Sequence, residues 1–170
     1  MLDFVLKIVY YINVIKQIKN FISNKESNSL INFHKENFNL NNTYCKKFRQ
    51  TEVIECDYIL NNPLIKEIHL KLYKFIKSID TNYTINYFEI VKWLENASQG
   101  KHTDYDYHPY TSILYLNDTF EGGETLVKDK IVTPEKCKLI SFEGDKLIHS
   151  VNEVTKGERY TIPCWYKKIL

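Results

Sequence analysis

Apolar residues follow two different rhythms along this chain, and the change falls near residue 80. In "MLDFVLKIVYYINVIKQIKNFI" Leu2, Val5, Ile8, Ile12, Ile15, Ile18 and Ile22 recur at steps of three and four. That spacing lays one stripe along a helix, so it predicts an amphipathic helix over residues 1–22 that packs on its own domain. Residues 23–50, rich in Asn, Ser and Lys, break the pattern and read as a loop region with little regular structure. Asn62-Pro63 opens a second helix. An Asx side chain caps free N–H groups there, and proline is preorganised for the first helical position. Ile65, Ile68, Leu72, Ile76 and Ile79 carry that helix to an end near Asp80.

Beyond Asp80 the chain breaks into short runs. "YTINYFEIVKWL", "YTSILYLN", "ETLV", "IVTP", "KLISF", "KLIHSV" and "RYTIPCWY" are β-branched and aromatic, with turn residues between them. The joints include "EGG" at 121–123, "EGD" at 143–145 and "KGE" at 156–158. Short strands joined by tight turns predict a sandwich or jelly roll. No internal repeat is present. The expected class is α+β in a single domain, with helical and loop support over 1–80 and a jelly-roll core of antiparallel strands over 81–170.

Composition alters this picture little. The chain is 44% hydrophobic and 26% charged, which is ordinary for a globular protein of 170 residues. Its net charge is +2 with no basic run that could follow a phosphate backbone, so nucleic acid is not an expected partner. Cys45, Cys56, Cys137 and Cys164 are far apart and form no Cys-x-x-Cys, which fits a reducing compartment. The uncharged run Ile8–Ile15 is far short of the ~20 residues that span a bilayer. Asp3 and the lack of a small-residue cleavage site argue against a signal peptide. The expectation is a cytoplasmic protein without membrane contact through residues 1–22.

Candidate chemistry begins at "GKHTDYD", residues 100–106. On an extended strand residues i and i+2 share a face, so His102 and Asp104 would project together. Two histidines and one carboxylate make the facial triad that holds Fe(II) and leaves coordination positions open. Of the other histidines, His34 falls in the loop region, His69 on the second helix, and His108 so close to Asp104 that it marks the following turn. His149, inside "KLIHSV", remains, although a histidine in an apolar strand is equally a core residue bonded to a backbone carbonyl.

Arg159 lies ten residues further on, across a turn at Lys156-Gly157. Adjacent antiparallel strands joined there would carry His149 and Arg159 side by side into one interior. A buried arginine is costly unless it meets an anion. A dicarboxylate chelating the metal at one end would offer such an anion at the other. Thr161 shares the face of Arg159 and could add a hydroxyl bond. A surface arginine on a turn flank is the alternative.

With these residues in this order, the chain resembles the 2-oxoglutarate/Fe(II)-dependent dioxygenases, most closely their prolyl 4-hydroxylase-like branch. The resemblance covers residues 83–167 and rests on "HTD" (102–104), "YTSILYLND" (110–118), "FEGGET" (120–125), "VTP" (132–134), "ISFEGDKLIHSV" (140–151) and "KGERYTIPCWY" (157–167). It implies a double-stranded β-helix, with Fe(II) on His102, Asp104 and His149, and 2-oxoglutarate anchored by Arg159 with Tyr115 and Thr161. It also implies O2 as cosubstrate, succinate and CO2 as co-products, and room for ascorbate. No protein general base is required, so Asp106 is read as a neighbour of the ligand set or a solvent residue. Trp93 stands where many members show a tyrosine and is read as packing, with an indole N–H to offer.

The implied substrate is a peptide or protein, hydroxylated at a peptidyl proline. Peptidyl lysine is the runner-up, since arginine at 159 does not exclude it. Nucleic-acid demethylases of the superfamily carry a second arginine six residues on, where this chain has Trp165. Only Tyr105–Pro109 separates Asp104 from the next strand, so the site is either open or covered from elsewhere. From a different class, a jelly-roll binding or virion protein would keep the metal for structure. Such a site calls for a fourth protein ligand and leaves Arg159 without an anion. Oligomeric state is not legible in the sequence.

Overall fold

The computed structural model describes residues 15–169. Strands β1 (Lys16–Ile18), β2 (Cys45–Phe48) and β3 (Thr51–Glu55) accompany two helices, α1 (Asn24–Asn37) and α2 (Pro63–Ile79). Then come β4 (Tyr83–Trp93), β5 (Gln99–His102), β6 (Tyr110–Tyr115), β7 (Glu121–Gly122) and β8 (Thr125–Val127). The chain closes with β9 (Lys130–Val132), β10 (Leu139–Phe142), β11 (His149–Val151), β12 (Val154–Lys156) and β13 (Arg159–Lys168). They form a seven-stranded sheet ordered β1-β10-β6-β13-β4-β3-β2, a four-stranded sheet ordered β5-β11-β8-β9, and the pair β12-β7, with every pairing antiparallel.

Strand alternation assigns the two faces of the large sheet. On β13, Tyr160, Ile162, Cys164 and Tyr166 join Leu30 of α1 and Ile65, Ile68, Leu72 and Ile76 of α2 in one buried cluster. The intervening residues, Arg159, Thr161, Pro163 and Trp165, face the other way. Toward that side a second cluster of Tyr115, Val127, Ile140, Phe142 and Leu147 draws its side chains from both sheets. This two-sheet core is the double-stranded β-helix that the sequence leads one to expect.

Asn62 caps α2 as expected, its side chain accepting from the N–H groups of Leu64 and Ile65, and Asp80 ends the helix. Two expectations fail in the N-terminal part. Residues 23–50 are not mostly loop: they contain α1 and β2. Ser23 and Glu26 form a reciprocal capping box at the start of α1, and only Ser27, Leu30 and His34 of this helix are buried, a stripe too sparse to stand out in a polar segment. The helix expected over 1–22 falls mostly on residues 1–14, outside the described residues. Its tail is a strand instead: β1 pairs with β10, burying Ile15 and Ile22 to either side and leaving Ile18 38% exposed. Pairing with an open sheet edge has overridden the local helical spacing there. No helix among the described residues is long and apolar enough to cross a membrane. All four cysteines are buried and unpaired.

Candidate active site

The site starts from a pairing between two short strands. β5 and β11 are antiparallel neighbours with His102 directly opposite His149, and their ring centroids are 4.3 Å apart. His102 places Nδ1 2.8 Å from the Gly100 carbonyl, and His149 places Nδ1 2.7 Å from the Leu147 carbonyl. A carbonyl oxygen can only accept, so both Nδ1 atoms carry the proton and both Nε2 lone pairs are free for a metal.

Asp104 arrives differently from the expectation. β5 ends at His102, so Asp104 does not share a strand face with it. It sits in the following loop, tied down by its own N–H to the Gly144 carbonyl at 2.9 Å. Trp165 donates Nε1–H to its Oδ1 at 3.2 Å, and the Thr111 hydroxyl donates to its Oδ2. Burial alone would raise this carboxyl. The hydrogen bonds from Thr111 and Trp165, together with His149 when its imidazole is protonated, more than offset that and hold it below the usual carboxylate range. Ligand atoms of His102, Asp104 and His149 all lie within 4.8 Å of one another, and no fourth residue among those described joins the group. Three ligands of this type suit an open transition-metal site rather than a closed structural one.

Gly144 makes room for this carboxylate. A Cβ there would overlap Asp104 Oδ2 and the Thr111 hydroxyl. The "EGD" joint thus provides space beside the candidate ligand as well as a turn.

Arg159 opens β13, 1% exposed. Its guanidinium stacks between Trp93 and Tyr115, 4.9 Å and 5.5 Å from their ring centroids. Nη2 donates to the Thr125 hydroxyl at 3.3 Å, and the Tyr115 hydroxyl donates to the same oxygen at 2.7 Å. Nε and Nη1 have no hydrogen-bond partner among the described residues. Burial pushes this group down to about 10, against an opposing influence from Tyr115. A buried cation with two idle donors is a demand for an anion. Thr161 accepts from Trp93 Nε1 at 3.1 Å, so Trp93 both packs and donates. Gly122 and Gly123 adopt left-handed φ values of 73° and 66°, and a Cβ on Gly123 would stand 3.0 Å from Arg159 Cδ. That turn lies against the arginine.

His149 and Arg159 are not on adjacent strands. His149 belongs to the four-stranded sheet and Arg159 to the seven-stranded one, because Val154–Lys156 between them departs to pair with Glu121–Gly122. Asp106 is exposed in a turn and lies outside the ligand group. Thr111, Thr125, Gly144 and Trp165 went unpredicted. Trp165 alone left a signal, through its even spacing from Arg159 along one strand.

A cavity of about 420 Å³ runs from His102, Asp104 and His149 past Trp93 and Glu89 to Phe48 at the tip of the β2–β3 hairpin. The site therefore takes its cover from this hairpin, not from a lid after Asp104.

Residues 88–167 match the family model of the 2OG-Fe(II) oxygenase superfamily. The match covers a little under half of the chain and makes it similar to this superfamily. Among curated proteins it is 40% identical over 70 residues to prolyl 3-hydroxylase 2 of Homo sapiens, covering 36% of this chain and 10% of that protein. It thus spans about a tenth of the length of the curated relatives it matches. Among solved structures it resembles the 2OG complex of a viral collagen prolyl hydroxylase from Paramecium Bursaria Chlorella virus-1, with TM-score 0.74, 20% identity, and 93% and 97% of the two chains covered. A prolyl hydroxylase from Trichoplax adhaerens, in complex with a hypoxia inducible factor peptide fragment, matches with TM-score 0.66, 18% identity, and 92% and 84% covered. At these identities the structural likeness is one of fold.

Proposed function

We propose that this protein is an Fe(II)- and 2-oxoglutarate-dependent hydroxylase acting on a peptidyl proline. The observation that carries the reading is Arg159: a fully buried guanidinium whose Nε and Nη1 have no hydrogen-bond partner among the described residues, in the same core as an open three-ligand group. In this reading His102, Asp104 and His149 hold Fe(II), and Arg159 binds the distal carboxylate of 2-oxoglutarate, with Tyr115, Thr125 and Thr161 around it. Fe(II) and 2-oxoglutarate, when bound, supply the oxidising power to hydroxylate an unactivated C–H with O2, giving succinate and CO2.

The chain's own residues bind, orient and exclude water. Backbone carbonyls fix the imidazole tautomers, and Trp165 and Thr111 keep Asp104 ionised and aimed. Trp93 and Tyr115 keep the guanidinium dry, where its bond to a carboxylate is strongest. Residues 81–170 carry this machinery, and 1–80 support it and furnish the β2–β3 cover. A peptide substrate is favoured by the relatives, all three of them named for prolyl hydroxylation and one of these holding a peptide. A structural metal site is disfavoured because it would leave Arg159 without an anion.

The test mixes the protein anaerobically with Fe(II) and 2-oxoglutarate and looks for the weak visible charge-transfer band of the chelate. The expected band is lost in His149→Ala and needs far more 2-oxoglutarate in Arg159→Ala. Metal binding without a band at any 2-oxoglutarate concentration would overturn the assignment. Mass spectrometry of proline-containing and lysine-containing peptides after adding O2 then decides the substrate residue.

A further inference from the structure

The cavity has a wall that neither the metal ligands nor Arg159 uses. β3 and β4 bring Glu55 directly opposite Glu89, so the two carboxylates share one face of the sheet. Like charges in that position repel unless a cation lies between them. The cation that acts on Glu89 is Lys46 of β2, and it is committed to Glu55 in an ion pair. Glu89 lines the cavity, is partly buried, and has no hydrogen bond or ion pair among the described residues. Arg49, at the hairpin tip, lies over the Phe48 ring, 5.2 Å from its centroid. Two carboxylates are therefore served by one cation, and the unserved one faces the space that a substrate would occupy.

We propose that Glu89 is a specificity-determining residue that pairs with the side-chain cation, lysine or arginine, of a peptide lying along the β2–β3–β4 wall. The inference rests on the peptide-hydroxylase reading above and adds the charge of the substrate to it. A lysine or arginine beside the reacting residue replaces the partner that Glu89 lacks, at a distance from the metal set by the peptide. Burial, followed by the charge of Glu55, pushes the Glu89 carboxyl up to about 7, with Asp57 adding to the rise and Lys46 opposing it. Pairing with a substrate cation then requires Glu89 to lose its proton, and the pairing strengthens as pH rises through that value.

The experiment uses the full chain with Fe(II) and 2-oxoglutarate under anaerobic conditions, so that peptides bind without reacting. Both tryptophans of the chain, Trp93 and Trp165, line the cavity, and their fluorescence reports its occupancy. The probes are proline-containing peptides with a single lysine stepped through the flanking positions, each matched by its acetyl-lysine counterpart. At one position lysine is expected to bind about tenfold tighter than acetyl-lysine at pH 8, with the advantage shrinking toward pH 6. Glu89→Gln abolishes that preference, and Glu89→Lys transfers it to a glutamate at the same position. The inference is overturned if wild type shows no lysine preference anywhere, or if Glu89→Gln retains it. A preference that grows on acidification also overturns it, because a protonated Glu89 would then be donating to a peptide carbonyl. The charge-transfer band, recorded in the same samples, separates the two readings. If it is absent the cofactor assignment fails, and if it is present without a lysine preference only the role of Glu89 fails.

Discussion

Replacing Arg159 by methionine should make the ligand-free protein more stable while removing its response to 2-oxoglutarate. The magnitude follows from the site. A guanidinium held at about 10 against an ordinary 12.5, at about 1.4 kcal/mol per pH unit, represents a cost of about 3 kcal/mol. Methionine is of similar length, carries no charge, and relieves that cost. It loses the stacking of the desolvated cation between Trp93 and Tyr115, a loss of about 2 kcal/mol. The single 3.3 Å bond to Thr125 is long, and Thr125 keeps its partner in Tyr115. The net gain is about 1 kcal/mol, or about 2–4 °C in Tm for a chain of this size.

Differential scanning calorimetry of both proteins, with and without 2-oxoglutarate and an inert divalent metal, measures this directly. Wild type at a hundredfold excess over Kd should gain about 2.7 kcal/mol from the ligand. The variant should gain almost nothing. A lower Tm for Arg159→Met without ligand would refute the reasoning, since it would mean that the guanidinium already has its partner inside the protein. An undiminished shift with 2-oxoglutarate would refute it from the other side.

Two further outcomes follow from the residues around Asp104. Trp165→Phe keeps an aromatic ring to stack on Tyr87, whose centroid is 4.6 Å away, but removes the donor to Asp104 Oδ1. Metal affinity in a titration should fall about tenfold, and an unchanged affinity would show that Thr111 holds the carboxylate alone. Gly144→Ala meets no left-handed φ, so the backbone tolerates it, yet its Cβ occupies the place of Asp104 Oδ2. The variant should keep its circular dichroism while losing metal affinity by more than about tenfold; wild-type affinity would mean that the loop can shift to accommodate a methyl group.

Much of the architecture was legible because its signals are local. The Asn62-Pro63 cap, the isoleucine stripe after it and the alternation within "YTSILYLN" and "RYTIPCWY" each arise among residues a few positions apart. The helix at Asn24–Asn37 also left a local mark, the Ser23–Glu26 capping box, which the surrounding polar residues obscured. His102, Asp104, His149 and Arg159 could be nominated from residue type and order. How they meet could not. His102 faces His149 through the register of two short strands 47 positions apart, and Arg159 comes from the other sheet because β12 leaves to pair with β7. Thr111 and Trp165 converge on Asp104 only because β6 lies beside β13 with these two residues opposite each other. Periodicity and turn chemistry act along the chain and can be read there. Register and sheet membership are settled by competition among distant strands for the same backbone hydrogen bonds, which only the folded structure resolves.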